Sequence, residues 1–182
     1  MLNFSKFQFL AVLLLLFSLP GCRSTSAERQ KVLLSEADAI SDQELKIFEE
    51  WTRVFGKVFT DENRAQFPSN RDWMISELEK IIASIDETAR LANEAAEKYE
   101  EASRVTSKER EKKGIALIAA STRRNAEMMQ LLKAQAQLPT DRTIKDQKEF
   151  NKKFLDLRER VLTKQREKSE QFDEAKRLLF VQ

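Results

Sequence analysis

The stretch LEKIIASIDETARLANEAAEKYEEA, residues 78–102, decides the fold. Its apolar residues recur every seven positions, at Leu78, Ile85, Ala92 and Tyr99. A second row of apolar and small residues lies between them, at Ile81, Thr88, Ala95 and Ala102. A seven-residue apolar repeat is typical of helices that supercoil around partner helices. The stretch therefore predicts one long helix with a buried seam, which we expect to be internal core, bulky at first and mostly alanine later.

A first helix is predicted before this stretch, over residues 28–60. Its apolar residues have helical spacing, at Leu33, Ala37, Ile40, Ile47, Trp51, Val54 and Val58. Ser41 and Glu44 match a capping box, which would start a new helix at that point. The apolar stripe nevertheless stays in phase across it, so one kinked helix and two helices both remain open. A polar connection over residues 63–68 follows, and Ser69 or Asn70 is the expected cap of the next helix.

A reversal is predicted between the seam helix and the helix after it. The old seam passes through Thr106 and the new one begins at Ile115. Nine residues at about 100° each place these two positions half a turn apart, so a straight helix would face opposite sides. Gly114, a residue type common just past a helix end, is expected to permit the turn.

The last helix is predicted after Pro139, because proline disfavours helix at the residue before it. Thr140 or Thr143 is its expected cap, and its apolar stripe has a polar gap over residues 164–168. Short connections between helices favour an all-α, elongated antiparallel helical bundle or coiled coil of four helices over residues 28–182. A three-helix coiled coil, with residues 28–60 as a looser appendage, is the alternative.

The amino terminus differs from the rest of the chain. Residues 9–17 are continuously apolar, too few for a helix that spans a bilayer, which needs about 20. The four residues Leu19-Pro20-Gly21-Cys22 then resemble the lipobox of bacterial lipoproteins. This resemblance implies that residues 1–21 are a signal peptide cut between Gly21 and Cys22. It also implies that Cys22 is lipidated, with residues 22–27 as a short tether. An ordinary cleaved signal and an uncleaved anchor are the alternatives.

Two further features bear on location and partners. In enteric lipoproteins, an aspartate after the lipidated cysteine retains the protein at the inner membrane. Arg23 occupies that position here, so the resemblance favours the outer membrane, facing the periplasm. The chain has 32 basic and 30 acidic residues, and removing residues 1–21 takes away Lys6 alone, which leaves a net charge of +1. Such a balance gives no basic footprint for nucleic acid.

The composition excludes most catalytic chemistry. The chain contains no histidine, so the usual general base and the commonest metal ligand are missing. Its single cysteine is assigned to lipid, and no glycine-rich phosphate loop occurs. We therefore expect a non-enzyme without cofactor or metal. The preferred function is an interaction or spacer module that binds an envelope protein or itself. A carrier for lipid or a small apolar ligand is the alternative.

A candidate partner surface follows from the topology. Four antiparallel helices place the connection before the seam helix at the end opposite the lipid anchor. Phe67 and Trp73 lie in or beside that connection, and aromatic residues are enriched where proteins dock. The sequence therefore predicts Phe67 and Trp73 as the partner surface.

Overall fold

A computed structural model describes residues 25–180 of the chain and the side chains from residue 26. Its elements are α1 (Thr25–Val58), α2 (Asp61–Ala65), α3 (Arg71–Val105), α4 (Glu109–Gln137), a 3-10 turn (Leu138–Thr140) and α5 (Gln147–Phe180). No strand occurs within these residues. The all-α prediction is confirmed, with four long helices and the short α2 as an additional one.

The four long helices pack as an antiparallel bundle in chain order. The main helix contacts are α1 on α3, α3 on α4 and α4 on α5, whereas α1 and α5 form no continuous interface. Two ion pairs show that α1 and α3 are antiparallel. Glu36 near the start of α1 pairs with Lys98 near the end of α3 at 2.7 Å, whereas Lys57 at the end of α1 pairs with Glu77 near the start of α3 at 3.6 Å. Helix α1 is no loose appendage, because it buries Trp51 and three further apolar residues of the predicted stripe, namely Leu33, Ala37 and Val58.

The buried apolar residues form two separate clusters. The larger, here called the aromatic core, comprises Trp51, Val58, Phe59, Phe67, Met74, Leu78, Ile81, Ile85, Ala89, Met128, Met129, Ala136, Leu138, Ile144, Phe150 and Phe154. The smaller, here called the alanine core, comprises Leu33, Leu34, Ala37, Ala95, Tyr99, Ala102, Ile115, Ile118, Ala119 and Ala175. The predicted change along the seam of α3, from bulky residues to alanine, corresponds to the passage from one cluster to the other.

Helix α1 is continuous, so the alternative of a single helix over this region is confirmed, and Ser41 and Glu44 form no capping box. Ser41 and Glu44 lie in the middle of the helix, and the Glu44 side chain accepts a hydrogen bond from Asn125 on α4. The Glu44 carboxylate, which the local sequence pattern assigned to a helix start, therefore bonds to a residue that is distant in sequence. The helix also begins at Thr25, so Thr25 and Ser26 of the predicted tether already belong to α1.

The predicted reversal exists, but Gly114 does not make it. The chain turns over residues 106–108, and Gly114 lies inside α4. A Cβ atom at Gly114 would lie only 2.7 Å from Cγ of Leu179. A side chain at Gly114 would therefore require Leu179 on α5 to move, and the backbone freedom of glycine plays no part because its φ is not positive.

One of the predicted helix caps is confirmed in position and the other is wrong. Asn70 occupies the N-cap position of α3, although its side chain donates to the carbonyl of Asn63 at 2.7 Å and makes no capping bond. Helix α5 is capped by Asp146, whose carboxylate accepts a hydrogen bond from the Glu149 backbone N–H at 2.9 Å. The predicted caps Thr140 and Thr143 lie too far upstream, because the chain makes another turn before α5 begins.

Candidate functional site

The predicted lipidation site lies outside the described residues. Gly21 and Cys22 precede Thr25, the first described residue, by only a few positions. Arg29 near the start of α1 pairs with Glu101 near the end of α3 at 2.5 Å. The start of α1 thus shares one end of the bundle with the α3–α4 turn and the last residues of α5. We call this the hairpin end (residues 25–34, 102–115 and 175–180).

The hairpin end carries basic residues whose charge is compensated locally. Arg110 donates a hydrogen bond to the Arg177 carbonyl at 3.2 Å. The three lysines at the α3–α4 turn and the start of α4 each have a carboxylate partner: Lys108 with Glu111 at 2.8 Å, Lys112 with Glu109 at 3.5 Å, and Lys113 with Glu174 at 3.2 Å. Nearby carboxylates reduce the attraction of these cations to anionic headgroups.

The opposite end, here called the aromatic end (residues 55–75 and 137–154), contains the predicted partner surface. Phe67 is only 3% exposed. Its ring stacks on Phe150 with centroids 4.2 Å apart, and the Arg71 guanidinium lies 4.6 Å from the Phe67 centroid. The prediction that Phe67 forms a partner surface is therefore corrected. The Phe67 ring stacks on Phe150 and closes the end of the aromatic core. Because it is almost completely buried, it offers no surface on which a partner could dock.

Trp73 keeps the position that the prediction requires. It lies in the first turn of α3 and is 38% exposed. Four other large apolar side chains are exposed among the described residues, at Val32, Leu45, Leu155 and Leu162. They are aliphatic and scattered along α1 and α5, and single exposed apolar residues are normal on protein surfaces. Trp73 therefore remains the candidate contact residue of the aromatic end.

A surface cavity of about 510 Å³ lies near the hairpin end, between α1 and α3. Its lining is mostly charged: Arg29, Glu97, Glu100, Glu101, Arg104 and Val105. Binding sites for small apolar molecules are lined predominantly by hydrophobic side chains. This cavity therefore does not have the chemistry that a lipid carrier needs.

A polar layer, which sequence reasoning missed, lies at mid-bundle and comprises the buried Glu44 and the half-buried Asn125 and Lys168. Asn125 donates from Nδ2 to the Glu44 carboxylate and accepts from Lys168 Nζ at 3.0 Å. Ser121 beside it donates to the Lys168 carbonyl at 3.1 Å. The one sequence signal for this layer is the polar gap at residues 164–168 of α5, which supplies the lysine.

Burial controls the protonation of this layer. Glu44 is 7% exposed, and loss of hydration raises the pKa of its carboxyl to about 7, although Lys168 and Asn125 partly counteract the rise. The same loss of hydration lowers the pKa of the Lys168 ammonium, against the attraction of Glu44. A second carboxyl with a raised pKa is Asp38, which is partly buried and accepts a hydrogen bond from Tyr99 Oη at 2.7 Å.

A raised carboxyl pKa can indicate a catalytic acid, but the surroundings of Glu44 do not support that role. The carboxyl is enclosed between helices and bonded to Asn125, so it does not face an open cleft. No group of three or more potential metal ligands occurs among residues 25–180. No helix in that part of the chain is long and apolar enough to span a membrane. The enclosure of the Glu44 carboxyl between helices favours a structural role for the polar layer.

No protein family, curated protein or solved structure matches this chain. The function of the chain is therefore inferred from the geometry of the two ends of the bundle and of the polar layer.

Proposed function

We propose that this protein is a lipid-anchored, non-catalytic interaction or spacer module of the bacterial cell envelope, attached to the outer membrane and facing the periplasm. The observation that carries the proposal is the position of the helix start. Thr25 begins α1 only three residues after Cys22, and α1 then runs for 34 residues. At about 1.5 Å per residue, a lipid on Cys22 would hold the aromatic end about 50 Å from the membrane.

The partner of such a module is an envelope protein or a second copy, and Trp73 supports docking at the aromatic end. The Trp73 side chain is partly exposed. Buried residues of the same helix, such as Met74 and Leu78, fix that helix in the bundle. A rigid exposed aromatic residue supplies contact area at low cost in conformational entropy. The hairpin end would face lipid, with its lysines already paired to carboxylates.

The competing proposal is a carrier that holds an apolar ligand between the helices. Buried alanines on α1, α3, α4 and α5 oppose it, because small side chains allow helices to approach closely. An apolar fluorescent probe added to the purified protein distinguishes the two functions. A closed spacer leaves the probe fluorescence unchanged, whereas a carrier binds it in a saturable manner.

The anchor is tested by metabolic labelling with palmitate in cells that express the full chain or Cys22→Ala. We expect the label in the parent protein, and an unlabelled, uncleaved or released protein in the variant. Ser24→Ala is the matched control and should be labelled like the parent. Equal labelling of Cys22→Ala would refute the lipid anchor. Several acyl chains are needed for stable attachment, since one chain binds membranes only marginally.

The partner surface is tested with photo-crosslinking residues at Trp73 and Lys112 in intact cells. These positions represent the aromatic end and the hairpin end. We expect protein adducts from Trp73 and lipid adducts from Lys112. Protein adducts from Lys112 and none from Trp73 would reverse the proposed orientation, whatever the outcome of palmitate labelling.

A further inference from the structure

The polar layer joins three helices at one level of the bundle. Glu44 is on α1, Asn125 on α4 and Lys168 on α5, and the Asn125 amide hydrogen-bonds both ionisable groups. Protonated Glu44 can still accept from Asn125 through its carbonyl oxygen. The hydrogen-bond chain is therefore compatible with both charge states of Glu44, which differ mainly in the cost of burying a carboxylate.

The α5 segment that carries Lys168 is held to α4 by polar contacts, such as Ser121 with the Lys168 carbonyl and Arg124 with Glu167, and buries few apolar side chains. Between Phe154 and Ala175, no α5 side chain is fully buried. This middle segment of α5 (residues 155–174) also lacks a continuous interface with α1. Gln171 adds a buried Oε1 atom that accepts no hydrogen bond from the described residues. Few buried apolar contacts and an unsatisfied polar atom are features of segments that open locally.

Among the charged groups around the polar layer, Lys168 is the main one that acts on the Glu44 carboxyl. On α3, every buried residue between Thr88 and Lys98 is uncharged. The charged residues of that α3 segment have other roles: Arg90 pairs with Glu87 and Glu94, Lys98 pairs with Glu36, and Glu97 lies exposed near Arg123.

The charged residues of α1, α4 and α5 that surround the polar layer also interact with groups other than Glu44. On α4 and α5, Arg124, Glu127, Lys164 and Glu167 form a separate network of ion pairs 2.7–3.1 Å long. On α1 itself, Asp38 bonds to Tyr99, and Asp42 acts on Asp38 and Tyr99.

We propose that Glu44 is a proton-operated latch on the middle segment of α5: the protonated carboxyl keeps the segment closed on the bundle, and ionisation loosens it. Opening would hydrate the Glu44 carboxylate and the Lys168 ammonium together. Phe154 and Ala175, buried at the two limits of the segment, would keep the rest of α5 in place. The latch regulates the bundle itself and does not depend on the lipid anchor or on Trp73.

The sign of the effect follows from linkage. Closure raises the pKa of Glu44 from 4.5 to about 7, so the closed state binds the proton more tightly than the open state. This contribution to closure is fully present below the ordinary pKa and is lost as the pH rises through about 7. Lys168 has a lowered pKa, so its own contribution to closure has the opposite sign and increases as the pH rises from that lowered pKa to the ordinary value of 10.5. Comparison with Glu44→Gln, which keeps Lys168, separates the two contributions.

Hydrogen–deuterium exchange of the full chain, corrected for the intrinsic rate at each pH, measures the opening. Relative to Glu44→Gln, we expect protection in residues 158–170 of the parent chain to fall by about tenfold or more between pH ~5.5 and pH ~8, since one unit of pKa difference corresponds to tenfold. Glu44→Gln imitates the protonated acid and should stay protected at both values. Glu50→Gln, at an exposed position of the same helix, should behave like the parent.

A second measurement covers the case in which Glu44→Gln fails to fold. The carboxyl ¹³C signal of Glu44 in the parent chain should titrate near pH 7, and in Lys168→Met its midpoint should rise further, because the cation is gone. Titration near the ordinary pKa of 4.5 would overturn the proposal. Protection that falls on acidification relative to Glu44→Gln, or an equal pH dependence in the parent and Glu44→Gln, would overturn it as well.

Discussion

The aromatic core and the alanine core are built on the same four helices, yet they fill the interior in opposite ways. The aromatic core packs rings and long side chains, for example Phe59 against Phe154 with centroids 4.9 Å apart. The alanine core has Ala37, Ala95 and Ala175 on three different helices, all almost completely buried. Because interhelical distance depends on the side chains at the contact, the same helix can be held away from its neighbours in one half and close to them in the other. We therefore expect a smaller side chain to destabilise the aromatic core and a larger side chain to destabilise the alanine core.

The largest expected effect is a cavity in the aromatic core. Phe150 is completely buried between Phe67 and Phe154. Phe150→Ala should lower the free energy of unfolding by about 3–5 kcal/mol, because the ring leaves a void that the stacked neighbours cannot fill. Denaturant unfolding followed by circular dichroism measures the change. Leu155→Ala, at an exposed position of the same helix, should stay within about 0.5 kcal/mol. A similar loss in both variants would mean that the face with Leu155 is also buried in solution.

The opposite change tests the alanine core. Ala95 is completely buried on α3 among the other residues of the alanine core, so Ala95→Leu adds volume where no side chain faces solvent. We expect a loss of about 1–3 kcal/mol from overpacking, measured as above. Ala83→Leu is the matched control, since Ala83 is exposed on the same helix. If Ala95→Leu were as stable as the parent, space would exist between the helices, and the carrier function would gain support.

The sequence predicted the helices and their seams well, because apolar periodicity depends on burial along one face. The positions Leu78, Ile81, Ile85, Ala95 and Tyr99 are all buried, as the repeat in α3 required. The helix ends were less predictable. Asp146 and not Thr143 caps α5, because the chain makes an additional turn at Asp141, whose carboxylate accepts hydrogen bonds from Thr143.

The features that the sequence did not reveal depend on residues far apart in the chain. Glu44 and Asn125 are separated by 81 positions, so a local pattern could only assign Glu44 to a cap. Phe67 lies in a polar connection, and nothing near it in the sequence indicates that Phe150 will stack on it. The predictions for Cys22 and for the partner role of Trp73 remain predictions.

A smaller effect is expected where α4 and α5 approach most closely, at the hairpin end. A Cβ at Gly114 would meet Leu179 side-chain atoms at 2.7 and 2.8 Å, so Gly114→Ala should cost about 1 kcal/mol of stability despite the better helix propensity of alanine. In a Leu179→Ala background the clash is absent, and Gly114→Ala should instead stabilise by about 0.5–1 kcal/mol. A double-mutant cycle by thermal or denaturant unfolding measures this coupling. Additive effects would show that the two helices do not meet at Gly114.

The smallest effect is expected on the solvated face of α3, and it decides what the seam of that helix is for. Glu94 pairs with Arg90 at 2.7 Å, but both side chains are about half exposed, and such surface pairs contribute little. Glu94→Ala should therefore change the free energy of unfolding by less than about 0.5 kcal/mol, whereas Ile85→Ala should cost about 2–5 kcal/mol. Both are measured by denaturant unfolding of the isolated protein. The reverse ranking, with Ile85→Ala neutral, would mean that the seven-residue repeat serves a partner helix and that α3 presents its apolar face outward in solution. With the expected ranking, the repeat serves the bundle itself, and docking is left to exposed positions such as Trp73.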